Sequence, residues 1–404
     1  MNRPRALALR DGLVVALLLG LAASISLAEA SLAALAAWLV WAVRTRAYRP
    51  SWPLFAPLAA FAIWSVLAAL LSPAPVDSLR IMRMLLPLAT LWIVLGVLDD
   101  ASAARRFAAG LLWAVAAVAV VAIVQVVTCT PDRYDANPAL PPVVRMVLGK
   151  CRRAHAFFSI YMTLAGVLTV VLTAELAPLF VAGRRRAGAA AAWLTGALAL
   201  ALTLVRGAWL GLAAGVLVSL AGVRRRVLAA ACVVTLAAAV LALPSVRERA
   251  ETFGDAADAT ARERLAMIDG GLAMLRQRPI IGVGPGQVKQ LYPIYAPPEA
   301  LRRHTSHLHN TPLQIAVERG LVGLALWLWI FVAFFVRAAR VLRRVPAQAA
   351  ADRALVVGAL AAVTTFLVAG LFEYNFGDTE VLLAMLSVMA LPFVVERGLA
   401  GRAA

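Results

Sequence analysis

The stretch HTSHLHNTPLQ, residues 304–314, carries three of the four histidines in a chain of 404 residues. Histidine serves as a metal ligand, as an acid or base near neutral pH, or as an ordinary polar loop residue. The spacings of three and two between His304, His307 and His309 match neither the i, i+4 pair of a helical zinc site nor a zinc finger, and no cysteine lies close by. We therefore expect no metal here.

His309 stands immediately before a predicted helix start. Asn310 or Thr311 suits the N-cap position, and Pro312 suits the first helical turn. The helix dipole disfavours a charged imidazolium at this end, so His309 would be neutral and basic, as a general base must be. The free amides of the same helix end favour a neighbouring phosphate. We expect a catalytic role for His309 and a structural one for the other two histidines.

Arg206 is the only charged residue between Ala187 and Val223. A segment of that length predicts two short membrane spans joined by a tight turn, with Arg206 at the outer boundary. A charge inside a bilayer costs about 2.5–3.5 kcal/mol on insertion scales, so such a residue usually faces a cavity or a partner. The alternative is a side chain that extends to lipid headgroups. An arginine facing a cavity would suit an anionic, phosphate-bearing ligand.

A second candidate arginine, Arg264, lies in a predicted amphipathic helix on the outer membrane surface. Thr260 and Glu263 form a capping-box pattern at its start. The apolar residues that follow share one helical face: Leu265, Ile268, Leu272 and Leu275. Arg264 lies at the edge of this apolar stripe, from which it can reach a buried anion.

Seven further residues could extend the site or orient its members. They are Arg152, Arg153, His155, His307, Asn310, Gln314 and Glu318. An ordinary membrane flank explains the first three equally well. The neighbouring Arg319 would simply neutralise Glu318 inside the predicted helix.

The elements that position these residues are membrane spans. With 63% hydrophobic and 15% charged residues, the chain is too apolar for a soluble globular protein and is typical of an all-α polytopic membrane protein. A net charge of +18 would suggest nucleic acid in a soluble protein, but here we expect membrane lipids and no nucleic acid. Crossing a bilayer takes about 20 residues. Twelve apolar segments are candidates: 11–27, 29–43, 52–71, 81–98, 107–128, 154–180, 188–205, 207–223, 227–243, 311–336, 354–372 and 379–395.

The arginine-rich loops orient these spans, because Arg and Lys concentrate on the cytoplasmic side. They predict both termini in the cytoplasm and three regions: 1–243 with spans one to nine, an outer loop at 244–310, and 311–404 with spans ten to twelve and a tail. Alternatively, LVVALLLGLAASISLAEA is a cleaved signal peptide, which leaves the later topology unchanged. Cys129 and Cys151 flank the smaller outer loop, where an oxidising compartment allows a disulfide.

Four stretches resemble the bacterial O-antigen ligases, in the superfamily that also holds O-antigen polymerases and protein O-oligosaccharyltransferases. They are LTLVRGAWLG (202–211), RERLAMIDGGLAMLRQRPIIGVGPGQ (262–287), SHLHNTPLQIAVERGLVGL (306–324) and RRAHAFFSIYMTLAG (152–166). The chain departs from the family pattern at Gln287, where asparagine is frequent, and lacks the serine often found before Arg206.

The resemblance implies a glycosyltransferase of the GT-C-like membrane class, with a large helical periplasmic loop between helices nine and ten. It implies transfer of a finished glycan from undecaprenyl pyrophosphate to a lipid A-core sugar at the periplasmic face of a Gram-negative inner membrane. The reaction would be inverting and would need neither metal nor cofactor. Arg206 and Arg264 would hold the pyrophosphate, and His309 would activate the acceptor hydroxyl.

Other functions remain open. The superfamily motifs are shared by polymerases and protein-glycosylating enzymes. A secondary transporter with twelve helices would instead predict internal repeats and polar residues at the membrane midplane. We see no repeat, and the unusual charges collect near the outer edge.

Overall fold

Runs of alanine, leucine and valine form helices here, because helices satisfy their own backbone hydrogen bonds in an apolar environment. The computed structural model describes residues 3–130, 139–141, 144–145, 151–181, 186–222, 241–252, 255 and 258–403. These residues form helices and connections without a β-strand. A 3₁₀ segment, Met82–Ala89, joins α4 to α5. The helices are α1 Arg3–Ala23, α2 Ile25–Arg44, α3 Phe55–Leu70, α4 Pro75–Ile81, α5 Thr90–Val97, α6 Ala101–Val127, α7 Tyr161–Leu179, α8 Arg186–Leu202, α9 Arg206–Gly222, α10 Pro244–Glu251, α11 Ala259–Gln277, α12 Val288–Tyr295, α13 Thr311–Arg344, α14 Ala350–Ala369 and α15 Thr379–Ala403.

The prediction of a polytopic helical membrane protein is confirmed. Within the described ranges, eight helical segments are long and apolar enough to cross a membrane, and α3, α8 and α9 are shorter apolar helices. The predicted ninth span, 227–243, lies outside the described residues except at its last three positions. The predicted fourth span begins earlier, at Pro75, and the tenth extends to Arg344.

Helices α7 and α15 lie at the centre of the bundle. Of the apolar window in each, 83% is buried by other parts of the protein, compared with 33% in α1 and α2. The buried hydroxyls of Thr169 and Thr173 in α7 donate to carbonyls one turn earlier, so these polar groups are satisfied in the apolar core. The peripheral helices therefore keep apolar surface free for lipid.

Helices α9 and α14 approach each other closely at two glycines. A Cβ atom at Gly215 would lie 2.1 Å from Oγ1 of Thr365, and one at Gly211 would lie 2.9 Å from the Thr365 carbonyl. The Thr365 hydroxyl donates to the Gly211 carbonyl at 2.9 Å. Small residues allow such close packing between membrane helices. This contact fixes Arg206, at the start of α9, relative to the loop that follows α14.

Helix α13 is broken at Gly320, whose φ is +68°. A Cβ at Gly320 would lie 1.9 Å from the Ile280 carbonyl, so the position requires glycine. The GVGPGQ loop packs on this break, and the amides of Val283 and Gly284 donate to carbonyls of α13. These two loop amides therefore hold the GVGPGQ loop against α13.

A disulfide joins Cys129 to Cys151, across 22 residues of sequence. The possible pairing expected from the sequence is therefore confirmed. Just after Cys151, the amide of His155 donates to the Gln125 side chain, which tethers this segment to α6. The bond and the tether position Arg153 near the start of α7.

Candidate active site

A cavity of about 710 Å³ lies at the end of the bundle where α9, α11 and α13 begin. Arg206, Arg264 and His309 all contribute to its lining. The three come from separate segments of the chain, so the fold brings together residues that lie far apart in sequence. Apolar side chains, among them Leu210 and Ile268, form much of the remaining wall.

Arg206 is the first residue of α9 and lies one tight turn after α8, as the sequence predicts. The turn contains Leu204 in the left-handed conformation, with a φ of 58°. The guanidinium donates to the Thr252 carbonyl at 2.6 Å and to an oxygen of Asp258 at 3.0 Å. Its side chain is only 15% exposed. Arg206 is therefore held at the cavity wall by the segment between α10 and α11.

Two more arginines surround Arg206. Arg249 of α10 lies 3.4 Å from the other oxygen of Asp258, and Arg153 stacks over the ring of Tyr161 at 4.5 Å. Burial, with the nearby charges of Arg206 and Arg153, lowers the pKa of Arg249. Arg153 and Arg249 both line the cavity. This end of the cavity therefore has an excess of positive charge.

Asp258 is the acidic partner within this arginine group. Burial by itself would raise the pKa of this carboxyl, but the Ala261 amide and Arg206 together hold it below its ordinary value. Asp258 also accepts from the Thr260 and Ala261 amides, so it is the N-cap of α11. The predicted capping box of Thr260 and Glu263 is therefore wrong, because Asp258 occupies the cap and Glu263 binds the Leu301 and Arg302 amides instead.

Helix α11 carries Arg264 into the cavity and packs on the protein through a face other than its apolar stripe. The predicted stripe is partly exposed, with Leu265 at 55%. The buried face consists of Glu263, Ala266, Met267, Gly270, Gly271 and Met274. The glycines allow close packing against Tyr292 and Leu308, while Leu265 and Ile268 of the stripe line the cavity.

His309 lies two residues before α13, in a left-handed conformation with a φ of 48°. Asn310 is the N-cap, as one of the two predicted positions, and its side chain accepts from the Leu313 amide at 2.9 Å. Nδ1 of His309 lies 2.8 Å from Oε2 of Glu373. A carboxylate only accepts, so Nδ1 carries the hydrogen and Nε2 is left as the basic nitrogen.

Glu373 is the residue that sequence reasoning missed. It follows α14, lines the cavity, and accepts hydrogen bonds from both His309 and Arg264. It is the only acidic residue in the range 353–377, in a chain region that is otherwise mainly apolar. An isolated acid beside a predicted span is a functional signal. That signal could have identified Glu373, although its two partners could not be read from the sequence.

Six of the seven secondary candidates separate into three groups. Arg153 and Asn310 line the cavity. Arg152 is exposed and lies outside the described lining, while His155 is buried against Gln125. Gln314 and Glu318 also lie outside it: Gln314 accepts from the Leu308 amide and donates to Glu318, which itself pairs with Arg319. Gln314 and Glu318 therefore support the loop before His309 without lining the cavity.

His307 packs edge-on against His309, with ring centroids 4.3 Å apart. Burial, with a smaller contribution from His309, lowers the pKa of His307 to about 4. His304 is exposed in the same loop. Over the described residues, no group of three or more His, Cys, Asp or Glu side chains is arranged to hold a metal.

The three lead residues fall inside one segment that matches a known family. Residues 190–328 match the family model described as O-antigen ligase. The match runs from α8 to the middle of α13 and includes Arg206, Arg264 and His309. A comparison with curated proteins finds no match. The match over this segment, about a third of the chain, supports membership of the O-antigen ligase family.

Proposed function

We propose that this protein transfers a completed glycan from undecaprenyl pyrophosphate to a sugar hydroxyl of the lipid A core, in lipopolysaccharide biosynthesis. Family membership indicates glycosyl transfer at a membrane and covers ligases and related polymerases. The single observation that carries the proposal is the cavity shared by Arg206, Arg264 and His309. It combines guanidinium groups for a pyrophosphate with an oriented imidazole for a hydroxyl.

The chemistry assigns one task to each part of the cavity. Nε2 of His309 takes the proton of the acceptor hydroxyl while the hydroxyl oxygen attacks the anomeric carbon. The bond from that carbon to the pyrophosphate oxygen breaks, and its electron pair stays on the leaving oxygen. Arg206 and Arg264 stabilise the charge that develops there, since guanidinium groups bind phosphate oxygens in bidentate fashion. Attack opposite the leaving group inverts the anomeric configuration.

The proposal includes an arrangement in the membrane. Twelve spans would put both termini in the cytoplasm of a Gram-negative cell, with the cavity on the periplasmic face of the inner membrane. Residues 1–243 would form spans one to nine, 244–310 the periplasmic loop, and 311–404 the remaining spans and tail. This arrangement would resemble the GT-C-like class, with arginine instead of a divalent metal neutralising the pyrophosphate.

Complementation of a strain that lacks its ligase tests the assignment. We expect His309→Ala, Arg206→Ala and Arg264→Ala to lose the capped lipopolysaccharide ladder at matched expression. The first removes a positioned base, which contributes about 10² to 10⁴-fold. The other two remove the guanidinium groups proposed to stabilise the pyrophosphate. His304→Ala is the matched control, since this histidine is exposed in the same loop. A full ladder from the His309 variant would exclude it as the base.

Reconstitution distinguishes a ligase from a polymerase. The purified protein receives a lipid-linked glycan with or without a lipid A-core acceptor. We expect transfer only when the core is present. Chain growth without the core would instead assign polymerase activity to the same cavity.

A further inference from the structure

Glu373 uses its two carboxylate oxygens for two different partners. Oε1 accepts from the guanidinium of Arg264, and Oε2 lies 2.8 Å from Nδ1 of His309. The carboxylate is nearly buried, with 9% of its side chain exposed. A single negative charge is therefore shared between the arginine proposed to hold pyrophosphate and the histidine proposed as the base. The titratable ring of His307 also packs against His309, with ring centroids 4.3 Å apart.

The loop that carries Glu373 is fixed to the start of α13. The Thr311 amide donates to the Gly370 carbonyl at 2.7 Å, and the Thr311 hydroxyl donates to the Glu373 carbonyl at 2.7 Å. The Asn310 side chain donates to the Leu371 carbonyl at 3.0 Å. These bonds use backbone atoms of the loop, so they remain when the Glu373 side chain is changed. The carboxylate is held beside His309 independently of its charge.

The balance of charge in this group changes when a pyrophosphate arrives. Without it, Arg264 neutralises much of the negative charge of Glu373. A pyrophosphate offers Arg264 oxygens of higher charge, which guanidinium groups bind strongly. The charge of Glu373 is then directed to His309, where it stabilises the imidazolium that forms when the ring takes a proton.

We propose that Glu373 is a positioning residue for His309, and that its sharing with Arg264 couples occupation of the pyrophosphate site to the basicity of the imidazole. The proposal rests on the function proposed above. In the empty cavity, the ion pair with Arg264 takes up the charge of Glu373, so the basicity of His309 is lower. When the donor is bound, the basicity of His309 rises, at the stage when an acceptor hydroxyl can react.

Chemical labelling tests the coupling without any need for turnover. Diethyl pyrocarbonate modifies neutral imidazole, and peptide mass spectrometry of the full-length protein in detergent resolves His309 from the other three histidines. The pH midpoint of His309 labelling is measured with and without inorganic pyrophosphate. We expect pyrophosphate to raise this midpoint by about half a unit or more in the wild type, because a nearby negative charge favours the protonated form.

Glu373→Gln separates the coupling from the direct effect of the bound anion. The glutamine oxygen can still accept from Nδ1, but it carries no charge. We expect a lower midpoint without pyrophosphate and less than half of the wild-type shift when pyrophosphate is added. Glu299→Gln, an exposed acid on the connection after α12, has the same change in net charge and should behave as the wild type. A shift in Glu373→Gln equal to that of the wild type would overturn the coupling.

Transferase kinetics provide a second readout. We expect Glu373→Gln to reduce kcat at least tenfold and to move the acid limb of the pH profile to lower pH, with a thermal midpoint equal to that of Glu299→Gln. Partial recovery of kcat by Glu373→Asp would support a role for charge. An unchanged acid limb in Glu373→Gln would overturn the positioning role. Failure of the proposed function is distinguishable, because it would appear as full activity in His309→Ala.

Discussion

Both ends of the cavity pair arginine with a carboxylate, but their charge balances differ. At one end, Arg206 and Arg249 both pair with Asp258, Arg153 adds a further positive charge nearby, and Asp255 also lines the cavity. At the other end, Arg264 and the ring of His309 share Glu373. The first group has more arginines than carboxylates, while the second pairs one arginine with one carboxylate.

This difference separates the two tasks of the proposed reaction. An excess of positive charge favours an anion at all stages, so the Arg206 end suits binding of the pyrophosphate and of the leaving group. A balanced group that includes one titratable ring suits transfer of a proton. Glu373 connects the two tasks, because it contacts both Arg264, which is proposed to bind the pyrophosphate, and His309, the proposed base.

The largest effect that would sharpen this comparison is expected from the arginine-rich end. Arg206→Ala removes charged hydrogen bonds, each worth about 1.5–3 kcal/mol, so we expect donor use, measured as kcat/KM, to fall about 10 to 100-fold. Arg249→Ala should have a smaller effect in the same direction. Arg247→Ala is the control, because Arg247 lies on the same helix, α10, with its side chain 65% exposed. Equal activity of the Arg206 and Arg247 variants would contradict the binding role.

An intermediate effect is expected where α9 and α14 hold the two ends in register. In Gly215→Val, the new Cβ would meet Oγ1 of Thr365 at 2.1 Å and a methyl of Thr173 at 2.6 Å. Such overpacking costs about 1–3 kcal/mol. We expect a lower thermal midpoint, with donor binding and the pH profile both disturbed. A Cβ at Gly12 would meet no atom within 4 Å, so Gly12→Val should be close to neutral. Equal stability of the two variants would contradict this account.

The smallest effect concerns acid sensitivity at the histidine end. The pKa of His307 is about 4 when folded, below the ordinary value of 6.5, so the unfolded chain binds more protons between these values. The free energy of unfolding should therefore fall as pH drops from 6.5 to 4, by about 1–3 kcal/mol. Thermal unfolding across this range should be less pH-dependent in His307→Gln. Identical pH dependence of the variant and the wild type would show that His307 is not the responsible group.

Local signals predicted several parts of the site correctly. The isolated Arg206 between two apolar runs indicated a tight turn at the end of two helices, which α8 and α9 form. The Asn310 cap was also readable, because capping depends on residues next to one another in the chain. The face of α11 that packs on the protein was not readable in the same way. Hydrophobic periodicity shows that a helix has two faces, but the close approach of Gly270 and Gly271 to Tyr292 and Leu308 decided which face meets the protein.

The sequence by itself determined that this chain is a polytopic membrane protein, and it singled out Arg206, Arg264 and His309 as candidate site residues. Apolar segments and helix caps depend on residues that are close together in the chain, so they can be predicted from the sequence. Only the tertiary structure decided that Asp258 and Glu373 divide the charges among those residues. The ion pairs join positions 52 and 109 residues apart for the two arginines, and 64 apart for His309. Such pairings depend on how helices pack, because no local preference encodes a contact between distant segments.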